Sequence, residues 1–484
     1  MSQGNVGKHG FIAKHYLWNA DQRAAAKEIE RRLQAQEIDT LRLSFVDQHG
    51  VLRGKSLTGL AMLGALSNAC SVTTTLLLKD TSHRTVFPVW QAGAGLDSDS
   101  LTGAADVLMV PDPCSFQILP WTPRTAWMLC DLHYPNGAEV ELSTRHIART
   151  LLAELGASGL RYRSGLEIEF HIFRTLDPKL EPVHATMPGA PPEVQLVTQG
   201  YQYLTESRLD ELEPVLEPIR SALMALGLPL RSLEVEFGPS QVELTFEPCD
   251  GLATADNTIL ARSAIKQVCA RHGLHATFMC RPALENTASS GWHLHQSLMR
   301  AGDNAFTPSE APAVLSPTGR HFVAGLLQHA GAACAFTTPT INGYKRFKSQ
   351  SLAPERANWG NDNRGVMVRA ISAPDDPNSR IENRVGEPSA NPYLYLSAQL
   401  ACGMHGMRAA IEPPDSTVTP YDDSAAELPK SLIESVDALA ANAMFRDTLG
   451  DRFIDYFVTL KRAEINRFLS DVTDWEQREY FRLF

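Results

Sequence analysis

In four short segments the ionisable side chains fall at alternate positions, the spacing that puts them on one face of a β-strand. In GLEIEFHIF (165–173), Glu167, Glu169 and His171 share a face opposite Leu166, Ile168, Phe170 and Ile172. In EVEFGPSQVELTF (234–246), Glu234 and Glu236 share one, and Glu243 returns after a GPS turn. His293, His295 and Ser297 align in SGWHLHQSL (290–298), as do Arg380, Glu382 and Arg384 in SRIENR (379–384). Any one of these could be the solvated side of a half-exposed antiparallel strand. Such faces ordinarily mix Lys, Thr, Ser and Gln, whereas these four hold Glu, His and Arg. Converging carboxylates and imidazoles suit a hard divalent cation such as Mg²⁺ or Mn²⁺. Without a cation, carboxylates packed this closely would repel one another, and some would take up protons. The arginines would serve anions, a phosphate or a substrate carboxylate.

Holding such faces together takes a sheet whose apolar sides turn towards a core. ADQRAAAKEIERRLQAQ (20–36) is rich in helix formers and reads as a surface helix. LRLSFVDQHGVLRGKSL (41–57) alternates on both sides of a polar DQHG turn, the pattern of a β-hairpin. Strand-like, turn-rich signals continue to about residue 139. ELSTRHIARTLLAELGASGL (141–160) then starts an amphipathic helix with Ser143 or Thr144 as N-cap. These shifts divide the chain into an N-terminal extension (1–19), a first domain (20–139) and a second (140–484). The Pro-rich stretch 175–194 reads as a surface loop. Helices are expected near 208–226 and 254–272, strands near 231–247, and a largely helical C-terminal stretch.

With 484 residues, 44% hydrophobic and 20% charged, the chain has material for two or more globular domains. Its net charge of −11 and the absence of a basic run argue against nonspecific nucleic-acid binding. No apolar run reaches the ~20 residues of a membrane span, and MSQGNVGKHGFIAKHYLW has no signal-peptide pattern. The eight cysteines are scattered singly, with no CxxC pair, so neither a zinc knuckle nor a disulfide framework is indicated. A cytoplasmic location with reduced thiols is the expectation.

These motifs resemble those of the glutamine synthetase superfamily over nearly the whole chain. GLEIEF is similar to its paired-glutamate strand, and EFGPSQVE (236–243) to the E-x-G-P-G-Q-x-E metal motif of its γ-glutamyl-polyamine and related ligases. SSGWHLHQSL (289–298) resembles N-G-S-G-x-H-x-H-x-S, INGYKRF (341–347) resembles N-x-Y-K-R-L, and NDNRGVMVRA (361–370) resembles the twin-arginine segment. RIENRVGEPSANPYL (380–394) and VTDWEQREY (472–480) are also similar to family segments. The resemblance implies an α+β fold: an N-terminal β-grasp domain, then a catalytic domain with a curved antiparallel sheet. It implies one metal on Glu169, Glu236 and Glu243, and a second on Glu167, His293 and Glu382, as Mg²⁺ or Mn²⁺. Arg346, Arg384 and Gly291 would bind glutamate. Arg364, Arg369 and Arg380 would neutralise the transferring phosphoryl group, with His295 and Ser297 near the nucleotide of the co-substrate ATP. The implied reaction is ligation of the glutamate γ-carboxylate to an amine through γ-glutamyl phosphate, in a dodecamer of two hexameric rings.

Two departures bear on the amine. Ammonia-using members place a glutamate six residues after the Arg of Y-K-R-L, and here that position is Leu352. Unless the register slips and Glu355 takes the role, the amine site has lost a carboxylate and gained apolar surface, which suits a hydrophobic amine, aromatic or alkyl. Ala288 stands where the family has an Asn that helps to bind glutamate. Asp80 occupies the region whose aspartate contributes to the ammonium site across a subunit contact; a turn-capping role is the competing reading. The expectation is therefore a glutamate–amine ligase. An ammonia-assimilating glutamine synthetase is the alternative, and a catalytically silent relative the non-enzymatic one.

Overall fold

The computed structural model describes residues 9–348, 350–422 and 424–484; the first eight residues of the expected extension (1–19) lie outside the described residues. A first, six-stranded sheet holds β1 (Thr40–Val46), β2 (Leu52–Leu57), β3 (Cys70–Thr73), β4 (Asp106–Pro111) and β5 (Thr125–His133) in the order β2-β1-β5-β4-β3, with Gln117–Ile118 beside β5. β1 and β5 run parallel, and the other pairs antiparallel. The β1–β2 hairpin forms as expected because the Asp47 carboxylate accepts from His49 N at 2.9 Å and Val51 N at 3.0 Å, closing the turn. Ala20–Gln34 is helical, capped by a reciprocal Asn19–Gln22 box, and buries Ala26, Ile29 and Leu33. Leu60–Asn68 is also helical, where only strands and turns were expected. Its nearly all-apolar LAMLGALSN gives no clear period, so packing decides its form.

The second sheet has eleven strands. Its main path runs β10 (Trp359–Asn361), β11 (Val368–Ile371), β12 (Arg380–Gly386), β9 (Trp292–Arg300), β6 (Leu160–Asp177), β8 (Gln241–Phe246) and β7 (Leu230–Val235). All neighbours on it are antiparallel except β10 and β11. β6 is the spine. Leu166, Ile168, Phe170 and Ile172 are buried beneath it, each fixing about 2 kcal/mol of apolar burial. Helices Thr144–Ala157 and Ala253–Arg271 pack against this strand. The whole is an α+β architecture.

Two local expectations need correction, on the Pro-rich stretch and on Glu236, while the N-cap expectation holds in position. β6 runs on to Asp177, and Glu193–Leu196 pairs back onto it, so the Pro-rich stretch is shorter as a loop than its composition suggested. Ser143 takes the N-cap position of Thr144–Ala157 but makes no side-chain cap bond. Glu236 lies just past the end of β7, not on the strand face with Glu234. Its own N–H donates to Gln241 O at 3.0 Å across the tight turn into β8.

The two sheets are joined by a charged knot. Arg145 reaches Asp112 of the first-sheet region at 3.0 Å, Asp131 of β5 at 2.9 Å and Asp256 of Ala253–Arg271 at 2.9 Å. Among the described residues, no helix is long and apolar enough to cross a membrane.

Candidate active site

Cross-strand register brings the four polar faces together. On the antiparallel ladder Glu167 of β6 sits opposite His293 of β9, and Glu169 opposite Glu243 of β8. The turn after β7 then delivers Glu236. One carboxylate oxygen each from Glu169, Glu236 and Glu243 lie within 4.8 Å of one another. Beside them, His293 Nδ1 is 3.5 Å from Glu167 Oε2 and 3.7 Å from Glu382 Oε1, and His295 Nε2 is 2.9 Å from Glu167 Oε1. All six residues expected to hold metal converge on one acidic funnel.

Burial, with repulsion from Glu169, Glu167 and Glu236, pushes the Glu243 carboxyl up to about 10. Glu169 rises to about 8, mainly through burial and then through Glu236. No hydrogen-bond donor or cationic side chain pairs with Glu243 among the described residues. Three clustered carboxylates, Glu243 among them buried and without a partner among the described residues, are a donor set that a hard divalent cation would neutralise, so the residues fit such an ion. Burial also raises Glu167, but the imidazoles facing it outweigh that and hold it well below the usual carboxylate range. Burial and then Arg384 lower His293 to about 4, leaving its ring neutral with a lone pair to offer.

Arginines ring these sets. Arg346 is buried, held through Nη1 by Arg384 O at 2.9 Å, and Nη2 lies 3.3 Å from His293 Nε2. No carboxylate salt-bridges to it among the described residues, so an anion is its natural partner. Gly291 makes its approach possible: a Cβ there would lie 2.6 Å from Arg346 Nη2. Gly291 N also donates to Glu169 Oε2 at 3.0 Å. Arg384 pairs with Glu382, yet its buried Nε has no hydrogen-bond partner among the described residues. Arg369 binds Glu382 at 3.1 Å and Asp362, whereas Arg364 is exposed.

A cavity of about 570 Å³ opens on the other side of Glu167. His295, Ser297 and Arg380, the three residues expected near the nucleotide, line it together with Arg163 and Arg231. Arg380 Nε lies 3.2 Å from His295 Nδ1.

A family model described as glutamine synthetase, catalytic domain, matches residues 141–480. The chain belongs to the glutamine synthetase family. It is 43% identical to a gamma-glutamylanilide synthase of Acinetobacter sp., over 98% of this chain and 99% of that one. It is 30% identical to a glutamate–isopropylamine ligase of Pseudomonas sp., over 93% and 96% of the two chains. A glutamine synthetase of Thermus thermophilus is 32% identical over 81% of this chain and 88% of that one. A solved GmaS/ADP complex superposes with a TM-score of 0.77 at 29% identity, covering 93% of this chain and 99% of that chain. The α+β fold is thus the glutamine synthetase architecture.

Two of the expected site residues of this family member stand apart from the funnel within a single chain. Asp80 is buried, and its Oδ1 accepts from Ser82 N and Arg84 N, both at 2.9 Å, while Oδ2 pairs with Arg467. It caps a turn, and none of these bonds reaches the funnel. Leu352 is 63% exposed, in a left-handed backbone conformation (φ 60°), and touches the site only through its carbonyl, 3.4 Å from Arg384 Nη2. The neighbouring Glu355 is half-buried. Conversely, Gln241 is a site residue that the motif spacing does not single out. Its side-chain amide donates to Glu169 Oε2 at 3.0 Å and Ser290 Oγ at 2.9 Å, fixing the carboxylate. Its position two residues before Glu243, on the same strand face, was the available signal.

Proposed function

We propose that this chain joins the γ-carboxylate of glutamate to an amine other than ammonia, using ATP and releasing ADP and phosphate. The amine is hydrophobic, aromatic or alkyl. The observation that carries the reaction class is the juxtaposition of a carboxylate-only set and a carboxylate–imidazole set beside the buried, carboxylate-free Arg346. The choice of amine draws support from the near-full-length likeness to a gamma-glutamylanilide synthase.

Glu169, Glu236 and Glu243 would hold one Mg²⁺ or Mn²⁺, and Glu167, His293 and Glu382 the other. Such ions supply positive charge for phosphoryl oxygens and draw the reacting groups into line. The chain's own residues do the rest. Arg346 and Arg384 bind the glutamate carboxylates, and Gly291 leaves room for Arg346 to do so. A γ-carboxylate oxygen then attacks the terminal phosphorus, the bond to ADP breaks, and γ-glutamyl phosphate forms. Arg364, Arg369 and Arg380 stabilise charge on the moving phosphoryl group. His295 and Ser297 border the nucleotide cavity. The amine nitrogen attacks the acyl carbon, phosphate leaves, and the surplus N–H proton passes to a carboxylate of the funnel.

The division of the chain near residue 139, a cytoplasmic location and a two-ring dodecamer belong to the same proposal. An active site completed by a neighbouring subunit would let Asp80 act across a contact absent within one chain. The test is phosphate release from ATP with glutamate, Mg²⁺ and a panel of ammonium, methylamine, isopropylamine and aniline. Release that depends on glutamate and is fastest with a hydrophobic amine supports the reading. Release fastest with ammonium replaces it with an ammonia-assimilating synthetase.

A further inference from the structure

Next to the funnel lies an apolar surface that the reaction scheme above does not use. Residues 199–205 cross over the turn that carries Glu236. Tyr201 N donates to Phe237 O at 2.7 Å and Leu204 N to Val235 O at 3.3 Å. The fit is close enough that a Cβ on Gly200 would lie 2.4 Å from Pro239 N. Phe237 directly follows Glu236, and its N–H donates to the Glu236 carboxylate at 3.0 Å. The Tyr201 and Phe237 rings meet edge to face, 5.1 Å apart at 80°.

Three aromatic rings there face outward. Tyr201 is 50%, Tyr203 54% and Phe237 51% exposed, an exposed apolar surface beside a charged site. The Tyr201 hydroxyl is already committed, donating to Asn286 O at 2.5 Å, so what this residue offers is its ring. Tyr203 lies between the two hydrogen bonds that dock this segment on the Glu236 turn; burial first, then Glu236 and Glu243, push its hydroxyl up to about 12, so it stays neutral. Leu352, the position that departs from the ammonia-using pattern, has its side chain in solvent and offers no such wall.

We infer that Tyr201, Tyr203 and Phe237 form the subsite for the ring of an aromatic amine, holding its nitrogen towards the funnel at Glu236. This rests on the ligase reading and names the substrate class within it. An arylamine is uncharged near neutral pH, so it needs no carboxylate to hold a cation, and it gains from a ring-lined wall. A small alkylamine gains little from that wall.

The experiment compares kcat/KM for aniline and for methylamine in the wild type and in Phe237→Ala, Tyr201→Ala, Phe237→Tyr and Tyr201→Phe. The aniline-to-methylamine ratio is expected to fall by about tenfold or more in the two alanine variants, the scale on which hydrophobic pockets discriminate. Phe237→Tyr and Tyr201→Phe, which keep the rings, should retain at least about a third of the wild-type ratio. A role confined to positioning Glu236 would lower both amines together and leave the ratio unmoved, which overturns the inference. So would a changed oligomeric state on size exclusion with the ratio intact, which makes the rings an interface between copies. A wild type that prefers aniline while both alanine variants keep the ratio refutes the subsite alone. A wild type with no amine-dependent phosphate release refutes the ligase reading and the subsite with it.

Discussion

Replacing Glu243 with Gln should make the metal-free protein more stable while destroying its metal response. The Glu243 carboxyl, pushed from its ordinary 4.5 to about 10, is protonated at pH 7 in the folded metal-free chain. The sign follows from linkage. A carboxyl raised on folding leaves stability intact below about 4.5 and erodes it as pH climbs towards the folded value. At pH 7 the erosion spans about 2.5 pH units, or roughly 3 kcal/mol. Gln has the shape of the protonated acid and takes up no proton, so it avoids that cost. For a chain of this length unfolding together, the gain corresponds to a midpoint rise of roughly 3 °C. The assay is thermal unfolding in EDTA and in Mg²⁺, at pH 5.5, 7 and 8.5. Wild type in EDTA should weaken as pH rises and recover with Mg²⁺; Glu243→Gln should start higher, depend less on pH and gain little from Mg²⁺. Turnover should be lost. A variant less stable than wild type in EDTA at pH 7, or one that keeps the full Mg²⁺ response, refutes the reasoning.

Other substitutions separate the remaining roles. Gly291→Ala should raise the KM for glutamate tenfold or more in steady-state assays, on the order of one displaced ionic contact, because its Cβ would lie 2.6 Å from Arg346 Nη2. Arg364→Ala should lower kcat far more than it raises the KM for glutamate, since an exposed guanidinium near the site matters most as charge moves; a KM effect with kcat intact places it in glutamate binding instead. In the charged knot, burial raises Asp131 but Arg145 and Arg149 outweigh it, leaving the carboxyl at about 2. A lowered carboxyl stabilises above its ordinary value, so this contribution should fade as pH falls from about 4 through 2. Asp131→Asn should therefore flatten acid unfolding, monitored by circular dichroism over that range.

The funnel was legible because strand periodicity is local. Glu167 and Glu169 alternate with Leu166 and Ile168, and the ladder then sets them against His293 and Glu243. Turn geometry was not legible in the same way. Glu236 sits beyond β7 because the GPS turn starts one residue earlier than alternation suggested. Asp80 owes its fixed carboxylate to Arg467, which lies 387 positions away in sequence. The role of Leu352 follows from a residue count alone, and its outward side chain depends on a left-handed backbone that spacing does not reveal. The rings of Tyr201 and Phe237 come from separate segments, and only the docking of 199–205 on the Glu236 turn makes them one surface.

Isotope transfer tests the central claim most directly. Glutamate carrying ¹⁸O in its γ-carboxylate is incubated with the enzyme, ATP, Mg²⁺ and aniline, and the released phosphate is weighed by mass spectrometry. Attack by the carboxylate on ATP followed by amine displacement carries one ¹⁸O into each phosphate, in step with formation of γ-glutamylanilide. Unlabelled phosphate, or labelled phosphate that forms only with ammonium, would contradict the account.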